Sequence, residues 1–181
     1  MYLREVKKGN LFGDMAASLM LATFYGVEMQ SALGWSVERR YRELTKTQMM
    51  IDEGLSRMIL AENPQGMPLG MIVCTNTDST EIQRIEAIIV AEAFRAKGIG
   101  RKLLQAAKGN KEFHAFATPK SLSWYKRNGF KVIGKHEEGT TEVTTAENVG
   151  DYKFKIRAPM PTEIDDFMVD MLKKVDQYNE T

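Results

Sequence analysis

The sequence predicts an α/β fold: a mixed, mostly antiparallel central sheet with helices on both faces, followed by a C-terminal amphipathic helix. Three observations carry this. Two helix-period stripes occupy residues 11–55. Strand-like runs separated by turn residues then follow at hairpin spacing up to residue 90. From residue 82 onward strand-like and helical runs alternate, the mark of crossover connections. At 181 residues the chain has room for one domain with a real core and too little for two. A composition of 43% hydrophobic and 27% charged residues is that of a globular protein and excludes a disordered one.

Residues 2–7 read as a first strand. Asn10 or Asp14 caps a helix whose stripe is Leu11, Met15, Leu19 and Ala22, and Gly26 stops it. Residues 26–35 form a loop or broken helix. Ser36 caps a second helix with Val37, Tyr41, Leu44, Gln48, Ile51 and Leu55 along one side, Gln48 being its one polar member. Residues 57–62 and 69–75 are strands joined through Asn63-Pro-Gln-Gly-Met-Pro68, a hairpin connection. A long strand covers 82–90. Gly98 to about Lys108 is helical, with Ile99, Leu103, Leu104 and Ala107 on one face. Residues 113–117 are a strand, and Ser121 opens a short helix stopped at Asn128-Gly129. Residues 130–135 and 152–157 are the last two strands, with a loop over 136–151 between them. After Pro161 a stripe of Ile164, Phe167, Met168, Met171, Leu172 and Val175 makes the C-terminal helix, capped by Thr162. We place one domain at 1–157. The helix of 158–181 packs on it or lies at an interface such as a homodimer contact.

Charge and cysteine content exclude several classes. Lys plus Arg number 25 and Asp plus Glu 24, a net charge of +1, so neither a nucleic acid nor an anionic membrane is the expected partner. Cys74 is the one cysteine, so no internal disulfide and no thiolate-cluster metal site can form, and no metal is expected. No apolar run approaches a membrane span, and the N-terminus lacks a secretory pattern. A cytoplasmic protein is the expectation.

Chemistry concentrates in Ile88-Ile-Val-Ala-Glu-Ala-Phe-Arg95-Ala-Lys-Gly98-Ile-Gly100-Arg101. A strand runs into a turn that opens a helix, and glycines let the backbone approach a ligand. Orphan N–H groups and the positive end of the helix dipole make this a phosphate-type site; an ordinary glycine-rich helix start is the alternative. The Gly-Lys-Ser/Thr ending of a P-loop and the three-glycine dinucleotide fingerprint are both missing. From Arg95 to Lys131 there are ten basic residues against one acidic, Glu112. A local patch of that kind suits a polyphosphate ligand.

Arg95-x-x-Gly98-x-Gly100 on a strand–helix turn, followed one strand later by Tyr125-x-x-x-Gly129-Phe130, resembles the GNAT family of N-acetyltransferases. The order of elements over residues 1–157 is that family's order too. The resemblance implies acetyl-CoA as the acyl donor. Its pyrophosphate would lie on the backbone of Arg95, Ala96, Lys97, Gly98, Ile99, Gly100 and Arg101. Its pantetheine arm would run along Ile88, Ile89 and Val90, which also supply an oxyanion N–H. It implies Tyr125 as the acid that protonates the departing thiolate and Glu86 as the general base, usually through water. Arg84 occupies a position where some members carry a glutamate. Thr118 stands where many have a cofactor-contacting Asn, and Ala96 where a glycine is common.

These roles are chemically coherent. A carboxylate can take a proton from an amine, a fixed N–H can hold the developing oxyanion, and a phenol is protonated at neutral pH. His114 is an alternative base. The 136–151 loop holds Glu137, Glu138, Glu142, Glu147 and Asp151 with no Lys or Arg, a rim that would favour a cationic amine, either a small molecule or a protein lysine. Trp35, Tyr25 and Met29 could wall the other side. The leading expectation is therefore transfer of acetyl from acetyl-CoA to a primary amine by direct attack in a ternary complex. A catalytically silent binding module of the same fold is the alternative. A toxin acting on charged tRNA is disfavoured by the acidic loop.

Overall fold

A computed structural model describes residues 1–9, 11, 13–136, 139–150, 160–166 and 169. Seven strands form one sheet in the order β1-β2-β3-β4-β5-β7-β6: β1 (Tyr2–Glu5), β2 (Ser56–Glu62), β3 (Pro68–Asn76), β4 (Ile82–Val90), β5 (Glu112–Ala117), β6 (Lys131–Lys135) and β7 (Thr141–Thr144). Every neighbouring pair is antiparallel except β4 with β5. The mixed, mostly antiparallel sheet is as expected.

Helices cover both faces. On one, α4 (Ile99–Lys108) and α5 (Leu122–Arg127) pack on Ile72, Ile85, Phe113, Ala115 and Val143. On the other, α1 (Met15–Thr23), α2 (Met29–Leu33) and α3 (Val37–Asp52) cover Met58, Leu60, Met71, Val73, Ala87 and Ile89. The stripe Ile99, Leu103, Leu104 and Ala107 is fully inward, as expected. Gly70 on β3 lets this packing close up: a Cβ there would lie 2.7 Å from the Ile89 carbonyl and 3.3 Å from Leu103.

Several local expectations are corrected. Gly26 does not end the first helix. Phe24–Glu28 continue it as a π-helical turn, Met29–Leu33 follow as α2, and Gly34 ends the run at φ 66°. Gly26 keeps a helical role because it is Gly34 that takes the left-handed conformation a helix stop requires. Met15 and Leu19 face solvent, while Ala17, Met20 and Leu21 are buried. Val37 and Tyr41 on α3 are also exposed, and the inward side is Thr45, Gln48 and Ile51. Asp14 and Ser36 are the helix caps. Arg4 ties Asp14 and Glu62 together across β1.

The loop expected over 136–151 contains β7, which pairs with β5 on one side and β6 on the other. Val143 supplies its core contact. The expected strand over 152–157 lies outside the described residues, as do Glu137, Glu138 and Asp151 of the acidic rim. Residues 161–166 are helical where the C-terminal helix was expected. Most of its stripe, from Phe167 to Val175, lies outside the described residues. No described helix is long and apolar enough to cross a membrane.

Candidate active site

The site is a place where the sheet stops pairing. β4 and β5 pair in parallel only from Ile82–Glu112 to Ile85–Ala115. β4 then runs on to Val90 against β3, and β5 runs on to Ala117 against β7. A wedge opens between them, edged by the backbone of residues 86–90. The cause lies in β4: Val73 opposes Ala87 and Cys74 opposes Ile85, so Glu86 is an extra, bulged residue. A bulge bends and twists its strand, and this one falls immediately after the last β4–β5 pair.

The bulge also sorts side chains. Ile85, Ile88 and Val90 join the core beneath α4, whereas Ala87 and Ile89 join the core beneath α1–α3. Arg84 and Glu86 meet: Arg84 Nη2 donates to Glu86 Oε2 at 3.0 Å, and the guanidinium lies 5.2 Å from the Phe116 ring centre. The position opposite a potential base is thus occupied by a cation paired with it. His114, across from Arg84 in the register, is buried and bonds through Nε2 to Glu142 at 2.7 Å. Burial pushes its pKa down, against the pull of Glu142. The Glu142 carboxylate expected in the acidic rim is therefore engaged within the sheet.

Above the wedge the chain turns through Glu92–Phe94, a single 3₁₀ turn, into α4. Ala96 has φ 62° and is the one described non-glycine residue with a positive φ; Gly98 follows at φ 77°. A Cβ on Gly98 would meet nothing within 4 Å, so open space lies before this stretch of backbone. No side chain caps α4, and its first bond is Lys102 N to Gly98 O at 3.1 Å. The N–H groups of Ile99, Gly100 and Arg101 are thus left as donors at a helix N-terminus, the arrangement that binds anions.

The arginine of the motif does something its position did not foretell. Arg95 Nε donates to the Val90 carbonyl at 3.0 Å and Nη2 to Glu28 at 2.5 Å, tying the turn to the π-helical segment. On the other arm of the wedge Lys120 Nζ donates to Ser31 Oγ at 2.5 Å. Glu28 and Ser31, one helical turn apart, therefore reach both arms. Thr118 spends its side chain on α5: its Oγ1 accepts from Ser121 N and bonds Ser121 Oγ. Arg101 reaches Asn128, and Lys97 lies over Phe94.

The two motifs touch. A Cβ on Gly100 would stand 2.9 Å from Trp124 Cζ2, so this glycine makes room for α5. Tyr125, the next residue, is buried between Trp124 and Phe130, at ring-centre distances of 5.1 and 4.9 Å. Its hydroxyl bonds to no described residue, and burial pushes its pKa up, so the phenol is protonated. Tyr25 is buried beside α3 with its hydroxyl 2.6 Å from that of Thr47, and Met29 is buried nearby. Trp35 is half-buried under Arg39. Among the described residues no group of three or more His, Cys, Asp or Glu side chains could hold a metal ion.

Residues 54–132 match the family model described as "Acetyltransferase (GNAT) domain". Solved structures share the fold. A GNAT-family acetyltransferase from Staphylococcus aureus Mu50 is 14% identical, with a TM-score of 0.58 over 79% of this chain and 98% of its own. A PaiA N-acetyltransferase from Thermoplasma acidophilum, crystallised with coenzyme A, is 16% identical, with a TM-score of 0.54 over 80% of this chain and 98% of its own. An aminoglycoside 6′-N-acetyltransferase in complex with coenzyme A is 13% identical, with a TM-score of 0.57 over 88% of this chain and 100% of its own. No curated protein matches the sequence.

Proposed function

From the GNAT acetyltransferase domain that residues 54–132 carry, we propose that this protein transfers an acetyl group from acetyl-CoA to a primary amine, by direct attack in a ternary complex. One observation carries the reading: the β4–β5 wedge opens directly below an uncapped, outward-facing helix N-terminus. A thioester can lie along a strand edge there while its diphosphate meets the N–H groups of residues 96–101.

The chemistry follows from what lines the wedge. The acceptor ammonium gives one proton to Glu86, directly or through water. The free amine attacks the thioester carbon, and an N–H of the 88–90 edge holds the oxyanion. The tetrahedral intermediate collapses, the C–S bond breaks, and Tyr125 O–H protonates the thiolate. The nitrogen sheds its second proton, and the phenolate is reprotonated from solvent. Of the two protons lost by the ammonium, one ends on sulfur and one in solvent.

The buried phenol is a weaker acid than a free one. The leaving thiolate, however, is desolvated in the same core, which strengthens it as a base. Burial likewise pushes the neighbouring Cys74 thiol up to about 12.

The test is a thermal-shift titration with acetyl-CoA, CoA and ATP, followed by thiol-release assays with amines. A shift with both CoA species and none with ATP supports the reading. At a hundredfold excess over Kd the native state gains about 2.7 kcal/mol. Gly98→Asp places a carboxylate at the phosphate position and should abolish the shift. An unchanged shift would place the cofactor elsewhere.

A further inference from the structure

The β3–β4 ladder fixes which backbone groups of β4 face the wedge. Ala91 N donates to Leu69 O at 2.9 Å, and Gly70 lies opposite Val90, Met71 opposite Ile89 and Ile72 opposite Ile88. Antiparallel pairs alternate between bonded and unbonded. Leu69–Ala91 and Met71–Ile89 are therefore the bonded pairs. Gly70–Val90 and Ile72–Ile88 are the unbonded ones, so the N–H and C=O of Ile88 and of Val90 point away from β3. The β4–β5 pairing ends at Ile85, so these groups face the wedge. One of the four is already engaged: the Val90 carbonyl accepts from Arg95 Nε at 3.0 Å.

A second contact holds that one in place. Arg95 Nη2 donates to Glu28 at 2.5 Å. Nε and Nη2 belong to one planar guanidinium, so Glu28 orients the plane and keeps Nε on the Val90 carbonyl. The arginine side chain is 49% exposed. Without Glu28 it is free to swing to solvent.

Resting on the acetyl-transfer reading, we propose that Arg95, held by Glu28, sets the register of the cofactor's pantetheine arm by withdrawing the Val90 carbonyl from it. The arm starts at the glycine turn and its thioester lies towards Glu86, so it passes Val90 before Ile88. Its amides each bring one N–H and one C=O. At Val90 they meet a donor and no free acceptor; the edge's free acceptor is the Ile88 carbonyl. The Ile88 N–H, nearer Glu86, is left for the thioester oxygen. An uncapped Val90 carbonyl would offer a second acceptor roughly 7 Å away, two residues along the strand. A strand-like ligand with two equivalent acceptors can slip between them, and slipping carries the thioester off the Ile88 N–H. Glu28 and Arg95 are thus positioning residues, and neither touches the reacting atoms.

The experiment uses the full chain and acetyl-CoA labelled with carbon-13 at the thioester carbonyl. Difference infrared spectra report the environment of that carbonyl, and calorimetric titration gives Kd. Wild type should show one narrow bound band. Glu28→Ala and Arg95→Met should each add a second band, the ratio of slipped to seated ligand rising about tenfold. Glu28→Gln keeps an acceptor for Nη2 and should lie between. For Glu28→Ala the Kd should be unchanged or tighter, since a carboxylate near the diphosphate is removed. Combining Glu28→Ala with Arg95→Met should add nothing, because Glu28 acts through Arg95. With any amine the wild type turns over, Glu28→Ala should lower kcat and KM for acetyl-CoA together, the mark of unproductive binding.

A single unchanged band in Glu28→Ala and Arg95→Met overturns the proposal. So do two bands in wild type, or effects of the two substitutions that add. Tighter binding by Glu28→Ala with an unchanged band would make Arg95 a phosphate ligand that Glu28 restrains, which also overturns it. Failure of the transfer reading looks different: wild type gives no heat and no thermal shift with acetyl-CoA, and both ideas fall together. If Arg95→Met does not melt cooperatively, the two Glu28 variants decide.

Discussion

Gly100→Ala tests whether the two sequence motifs act as one object. Gly100 is buried in the first turn of α4, and its Cβ would stand 2.9 Å from Trp124 Cζ2 and 3.4 Å from Cε2. An indole is rigid, so the ring must move as a body. Overpacking of this kind costs about 1–3 kcal/mol. Replacing a helical glycine by alanine returns up to about 1 kcal/mol. The net expectation is a loss of about 1 kcal/mol, a fall in Tm of roughly 2–4 °C for a chain of this length. The Cβ points at Trp124 and not into the space before the turn, so cofactor affinity should stay within about threefold. Turnover should fall about tenfold or more, because Tyr125, the proposed acid, follows Trp124 on α5 and small displacements of a catalytic group are expensive. Single-turnover rates and cofactor titrations separate the two effects. The decisive measurement is a double-mutant cycle with Trp124→Phe, which removes the clashing ring edge. Coupling of about 1 kcal/mol in stability, with recovery of turnover, is expected. Additive effects would show that Gly100 and Trp124 do not hold the acid in place, and the reasoning would fail.

Other outcomes follow from the same geometry. Tyr125→Phe should lower turnover strongly while leaving the acetyl-CoA thermal shift intact; unchanged turnover would exclude the phenol as the acid. Ala96→Gly should stabilise the protein by about 0.5–1 kcal/mol, since a left-handed alanine costs about 1–2 kcal/mol and glycine forfeits part of the relief to unfolded-chain entropy; a lower denaturation midpoint would contradict the turn. Stability should decline as pH falls. His114 has a depressed pKa in the fold, so the unfolded chain binds the proton first and stability drops from about pH 6.5 downward. Asp14, held below the usual carboxylate range by Arg4, and Glu112, held there by Thr145, add a second loss below about pH 4.5. His114→Gln should flatten the upper part of a Tm–pH profile and leave the lower part.

What could be read from the sequence depended on how many ways a pattern can be satisfied. The α4 stripe has one apolar side, so Ile99, Leu103, Leu104 and Ala107 were legible as core. In α1 apolar residues occur all round and in α3 the inward side is partly polar, with Thr45, Thr47 and Gln48 buried, so periodicity alone chose Met15, Leu19, Val37 and Tyr41, which face solvent. The π-helical turn between α1 and α2 adds a residue to one turn and shifts the phase of everything after it, and its one sequence mark, Gly26, reads as a helix stop. β7 was hidden because Thr141-Glu-Val-Thr144 is short and polar. It is a strand because β5 and β6 offer it partners on both edges, a tertiary cause. The glycine turn was legible because backbone conformation restricts the residue at Gly98, which has a positive φ. The Arg95–Glu28 pair was not, since it spans 67 positions.

That bulge explains why the site lies where it does. A strand without it would place alternate residues of β4 on alternate faces all the way to Val90, and β4 could pair with β5 to its end. One extra residue at Glu86 bends β4 away as the parallel ladder ends at Ile85–Ala115. It therefore opens the wedge and supplies the unpaired edge that a thioester can lie against. Arg84 and Glu86, two positions apart, share a face of β4 by ordinary strand alternation and pair beside the wedge. The cleft and its hydrogen-bonding edge thus share a single backbone cause. Moving the bulge by even one residue would be expected to disturb both at once, and to exchange a β4 side chain between the two cores.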